Sequence, residues 1–111
     1  HSSLMKPAAD KLREHLADTV MAAPQLAVLN NIDVAIETDV VRIKDALVRQ
    51  AFGPVRWVES VRAIKARGVH TLVECGPGKV LAGMVKRIDA DLIGAALYDP
   101  ATLAEVKELL A

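Results

Sequence analysis

Apolar residues in this chain alternate between helical spacing and short unbroken runs. Leu4, Ala8, Leu12, Leu16 and Val20 recur at about every fourth position, which predicts a first helix. Leu12, His15, Leu16 and Thr19 share one face of it. Ser2 or Ser3 is placed to cap its start, Pro7 falls in the first turn, and Ala22-Ala23-Pro24 ends it. The run Gln25–Asn30 then suits a buried strand, and Asn30-Asn31-Ile32-Asp33 a loop. Thr38 or Asp39 caps a second helix carrying Val40, Ile43, Leu47 and Val48, broken at Gly53-Pro54. A third helix starts at Pro54, sets Val55, Val58, Val61 and Ile64 on one side, and closes at Gly68. Thr71–Cys75 reads as a second strand, and Gly76-Pro77-Gly78 as a sharp turn into a fourth helix from Lys79 to about Ile88. The apolar run Leu92–Leu97 is a third strand, and Asp99-Pro100 opens a last helix ending in Leu109 and Leu110.

Strands of near-continuous apolar character between amphipathic helices define an α/β protein with a mostly parallel sheet flanked by helices. Three strands are few for five helices, so further strands are expected ahead of His1.

Bulk properties narrow the class. Of 111 residues 52% are hydrophobic but only 3% aromatic, so the core is aliphatic. Fourteen basic and fourteen acidic side chains cancel, which gives no electrostatic footprint for nucleic acid or an anionic membrane. The single cysteine, Cys75, excludes an internal disulfide and fits a reducing compartment. No run approaches the roughly 20 apolar residues of a membrane span.

Candidate chemistry is sparse. Gly76-Pro77-Gly78-Lys79 has the look of a phosphate turn, but Val80 follows the lysine and no upstream glycine completes G-x-x-x-x-G-K-[ST]. Leu81 likewise breaks the dinucleotide pattern. The motif therefore reads as a structural turn whose glycines adopt positive φ. His15 and His70 read as surface or half-buried side chains, no Cys/His spacing suits a metal, and Cys75 reads as a small buried thiol. His1 precedes a helix cap, at a strand-to-helix corner if a strand comes before it. Such corners hold functional groups in α/β proteins, and an imidazole there can act as a general base. A tag remnant or a cleavage site is the other reading of a terminal histidine, and the residues alone do not choose.

Four motifs in register do choose. His1-Ser2-Ser3-Leu4-Met5-Lys6-Pro7-Ala8, Val28-Leu29-Asn30-Asn31-Ile32-Asp33, Leu47-Val48-Arg49-Gln50 through Gly53-Pro54-Val55-Arg56-Trp57, and Glu74-Cys75-Gly76-Pro77-Gly78-Lys79-Val80-Leu81 follow one another along the chain. Together they resemble the C-terminal part of malonyl-CoA:acyl-carrier-protein transacylase of bacterial fatty-acid synthesis. The resemblance implies that residues 1–111 are the C-terminal portion of an α/β-hydrolase-like subdomain, without the N-terminal half and the small ferredoxin-like subdomain.

It further implies transfer of a malonyl group from coenzyme A to the pantetheine thiol of acyl carrier protein through a serine-bound acyl-enzyme. His1 falls on the general base. Gln50 falls on the glutamine whose main-chain carbonyl orients that histidine, in place of a triad carboxylate. The implied partners are acyl carrier protein, malonyl-CoA and the N-terminal half of the same protein, with no nucleic acid and no membrane. No cofactor beyond those substrates and no metal is implied, and the implied location is cytoplasmic. The G-H-S-x-G nucleophile elbow, the arginine that pairs with the malonyl carboxylate and the oxyanion-hole glutamine are absent from these positions. The chain by itself is thus expected to be inactive. A polyketide-synthase acyltransferase or a hydrolase with the same back half is one alternative. A non-catalytic fragment docking carrier protein through Lys6, Lys79, Lys86 and Arg87 is another.

Overall fold

A computed structural model describes residues 2–111, so His1 lies outside the described residues. The chain forms two compact units, residues 1–60 and 61–111.

In the first unit a single 3-10 turn, Ser3–Met5, leads into helix α1, Lys6–Ala17. The Ser2 hydroxyl oxygen accepts the N–H of Leu4 at 3.3 Å, and Pro7 occupies the first turn of α1. The helix stops at Ala17, short of the predicted Pro24. Its end is chemical: the Thr19 hydroxyl donates back to the His15 carbonyl at 2.7 Å, and Lys44 Nζ takes the Thr19 carbonyl at 2.6 Å. Val20, expected on the apolar stripe, is left fully exposed.

Helix α2, Val40–Gln50, is capped by Asp39, whose carboxylate accepts the N–H groups of Val41 at 2.7 Å and Arg42 at 3.3 Å. It packs on α1 and buries Ala46 and Val48, while α1 buries Ala9. Alanines at such a seam let two helices approach closely.

The expected strand over residues 25–30 is not formed. The segment makes one antiparallel bridge, Leu29 to Ile36, where Asn30 N–H donates to the Ala35 carbonyl at 2.9 Å. The physical reason is the reversal at Asn30–Ala35, which turns the run back on itself after a single pair. Leu26 and Val28 stay exposed.

Helix α3, Trp57–Ala66, begins three residues after Pro54 rather than at it, and Gly68 follows it at φ 91° with its N–H on the Lys65 carbonyl at 2.8 Å. Val61 is fully buried, but Val55 and Val58 of the expected apolar side are exposed.

In the second unit β1, Thr71–Cys75, and β2, Ile93–Leu97, pair in parallel in the register Thr71 to Ile93 through Cys75 to Leu97. Helix α4, Val80–Ile88, connects them and packs on both strands, and α5, Pro100–Leu110, packs on β2. The parallel α/β arrangement is as expected, with two strands among the described residues in place of three. Val85, Leu92 and Val106 are buried with Val61. Gly94 sits against α4, since a Cβ there would lie 2.5 Å from the Ala82 carbonyl oxygen. Asp99 and Thr102 form a reciprocal capping box at the start of α5.

Candidate functional site

Gln50 is the last residue of α2, where main-chain carbonyls lose their intrahelical donors. The residue four places on is Pro54, which has no N–H to give. The neighbouring amides are committed elsewhere: Ala51 donates to Val48 at 3.1 Å and Gly53 to Arg49 at 2.8 Å. Among the described residues no donor reaches the Gln50 carbonyl oxygen. The local sequence, a helix end followed by Gly53-Pro54, thus leaves one acceptor at this corner for a group from elsewhere.

The corner is firmly held. The Gln50 side-chain oxygen accepts the Asn31 N–H at 3.2 Å, and the Asn31 carbonyl accepts the Arg56 N–H at 2.9 Å. Arg49 makes a bidentate pair with Asp33, at 2.8 and 2.7 Å, and its Nε donates to Asp45 at 2.7 Å. Asp45 also meets Arg13 of α1 at 3.4 Å. The hydrogen bonds from Arg49 hold both carboxyl groups below the usual carboxylate range, and the two aspartates raise the guanidinium above its own. The Asp33 N–H donates to Asn30 Oδ1 at 2.8 Å, closing the turn. Val34, next along, is held at φ 55°, a left-handed backbone that a β-branched residue resists.

Gly53 is buried because it must be small. A Cβ there would collide with the Ile32 side chain and lie 2.9 Å from the Arg49 carbonyl oxygen. Lys6 Nζ sits 4.4 Å from the centre of the Phe52 ring, which brings the start of α1 to the same corner. Gln50 also lines an apolar groove of about 220 Å³, together with Met21, Leu29, Ile43 and Leu47 among others.

The structure places Gln50 at the end of α2, with no donor on its carbonyl among the described residues. His1, expected to pair with it, lies outside the described residues. Sequence reasoning missed Arg49, Asp33 and Gly53 as parts of the corner. The signals were present, since Arg49 directly precedes Gln50 and Asp33 ends the Asn-Asn-Ile-Asp motif.

The glycine turn is structural. Gly76 and Gly78 adopt φ 137° and 93°. Glu74 Oε2 accepts the Ala82 N–H at 2.8 Å, so the chain's own carboxylate occupies the start of α4. Cys75 is exposed, not the buried thiol expected, because it is the last residue of β1, where the strand gives way to the Gly76 turn. His15 and His70 are exposed. Lys79, Lys86 and Arg87 are exposed and make no ion pair among the described residues. Among the described residues no group of three or more His, Cys, Asp or Glu is placed to hold a metal, and no helix is long and apolar enough to cross a membrane.

Comparison with solved structures points to one class, the acyl-carrier-protein S-malonyltransferases. The enzyme from Burkholderia pseudomallei is 61% identical, with a TM-score of 0.93, over 97% of this chain and 35% of that one. A malonyl-transacylase solved in complex with its type II PKS acyl-carrier protein is 49% identical, with a TM-score of 0.94. In particular, the chain is similar to the malonyl CoA-acyl carrier protein transacylases of Salmonella typhimurium, at 54% identity over 94% of its length, and of Escherichia coli K12, at 50% over 98%. It spans about a third of these curated relatives, 34% and 35%. No family model matches the chain.

Proposed function

We propose that this chain is the general-base portion of a malonyl-CoA:acyl carrier protein transacylase. The carrying observation is its 50–54% identity to curated transacylases along nearly all of its own length. The open carbonyl of Gln50 supports the orienting role proposed for that residue.

In this reading a serine hydroxyl from the part of the protein ahead of His1 attacks the malonyl thioester carbon. The imidazole of His1 takes the serine proton as the new ester bond forms. It returns that proton to the coenzyme A sulfur as the thioester breaks. In the second half it takes the proton of the carrier's pantetheine thiol, whose sulfur attacks the serine ester, and gives it back to the serine oxygen. The Gln50 carbonyl accepts the other imidazole N–H and fixes one ring orientation. A neutral carbonyl does this without the full negative charge that would raise the imidazolium pKa strongly.

Acyl carrier protein is the proposed partner and the cytoplasm the proposed location. The relative solved with its carrier supports the former. The test is a graft in which residues 1–111 replace the corresponding segment of the Burkholderia pseudomallei enzyme. The graft is expected to transfer malonyl groups to carrier protein, whereas this chain alone should not. A folded but inactive graft would contradict the proposal.

A further inference from the structure

We infer that Arg49, clamped by Asp33, is a positioning residue for the reaction: it sets the direction of the Gln50 carbonyl and through it the ring of the general base. The inference rests on the transacylase reading above. Three observations carry it.

First, Arg49 is the immediate neighbour of Gln50, and its planar guanidinium is fixed at three points. Nη1 and Nη2 meet the two Asp33 oxygens at 2.8 and 2.7 Å, and Nε meets Asp45 at 2.7 Å. A bidentate fork resists rotation in a way that a point charge does not.

Second, the same turn grips the next residue. Asn31, two places before Asp33, donates its N–H to the Gln50 side chain at 3.2 Å. The final turn of α2 is therefore tied at consecutive residues, 49 and 50, to one short turn. The peptide plane that carries the Gln50 carbonyl also carries the Ala51 N–H, which donates to the Val48 carbonyl at 3.1 Å and leaves that plane little freedom.

Third, the turn is strained. Val34 stands at φ 55°, and a left-handed valine persists where its surroundings over-determine it. The Asp33–Arg49 pair is one tie, and the Asn30–Ala35 and Asp33–Asn30 hydrogen bonds are others. For stability alone an exposed ion pair contributes little, and both partners are over a third exposed, at 35% and 38%. Its geometry is better suited to direction than to stability.

The test uses the active graft with Asp33→Asn, Arg49→Lys and, separately, His1→Ala. Turnover is measured well below the melting temperature of every variant. Asp33→Asn and Arg49→Lys are expected to lower kcat about 10- to 100-fold, with KM for malonyl-CoA unchanged. Nitrogen-15 shifts of the His1 ring should change from one tautomer to a mixture of two. Unchanged kcat, or a fall in kcat with the tautomer unchanged, overturns the positioning role. If Asp33→Asn fails to fold, Arg49→Lys keeps the charge and supplies the same readouts. Should His1→Ala remain fully active, the transacylase reading itself fails. Should His1→Ala be inactive while both clamp variants are normal, only the positioning role fails.

Discussion

The carboxylate of Glu74, on β1, accepts the amide N–H of Ala82, in the first turn of α4, at 2.8 Å. The contact spans the Gly76–Gly78 turn and places an internal anion where a phosphate would otherwise approach the helix dipole.

Glu74→Ala should therefore destabilise the second unit by about 1 kcal/mol, the loss of a cap. Thermal melting by circular dichroism measures this. Inorganic phosphate should leave the melting temperature of the unaltered chain unchanged, and a phosphate-dependent rise would show that the turn holds an external anion.

Two glycines of the second unit should respond with opposite signs. Gly94→Ala puts a methyl group 2.5 Å from the Ala82 carbonyl oxygen and 3.0 Å from Val85 Cβ, so a loss of about 1–3 kcal/mol is expected. Gly83, within α4, meets nothing within 4 Å of an added Cβ. Gly83→Ala should gain about 0.5–1 kcal/mol from backbone entropy alone. Urea titrations of both variants check the pair. Equal effects would show that β2 is not pressed on α4 as described.

Acid should loosen the Arg49 clamp. Hydrogen bonds from Arg49 lower the Asp33 and Asp45 pKa values from the ordinary 3.8. A depressed folded pKa means that the contribution is complete above the unfolded value and is lost as pH falls through the folded one. The urea midpoint should hold down to about pH 4 and then decline. Asp33→Asn should decline less steeply over that range. An identical acid slope in the variant would mean that the pair contributes nothing.

Much of this fold could be read from local chemistry. Asp39, Asp99 and Gly68 act within two or three residues of themselves, so their roles are visible in a short window. Strand Thr71–Cys75 is likewise bounded by local signals, Gly68 before it and Gly76 after it. The run 25–30 misled because an apolar hexapeptide becomes a strand only where a partner pairs with it, and the reversal near Val34 is not encoded by glycine. The end of α1 was missed because it depends on Lys44, which is 25 residues from Thr19. In the candidate site, the motif alone points to Gln50. Its clamp was not, because Asp33 and Arg49 are 16 residues apart and only the fold joins them.

The most direct measurement is the pH dependence of kcat/KM for malonyl transfer by the graft, with and without His1→Ala. With His1 present, kcat/KM should rise with pH through a single step near ~6.5, as an imidazole becomes free to accept a proton. His1→Ala should remove that step and cost at least ~100-fold in rate. The same step and the same rate in the variant would contradict the account, because some other group would then be the base and the open carbonyl of Gln50 would have no imidazole to steer.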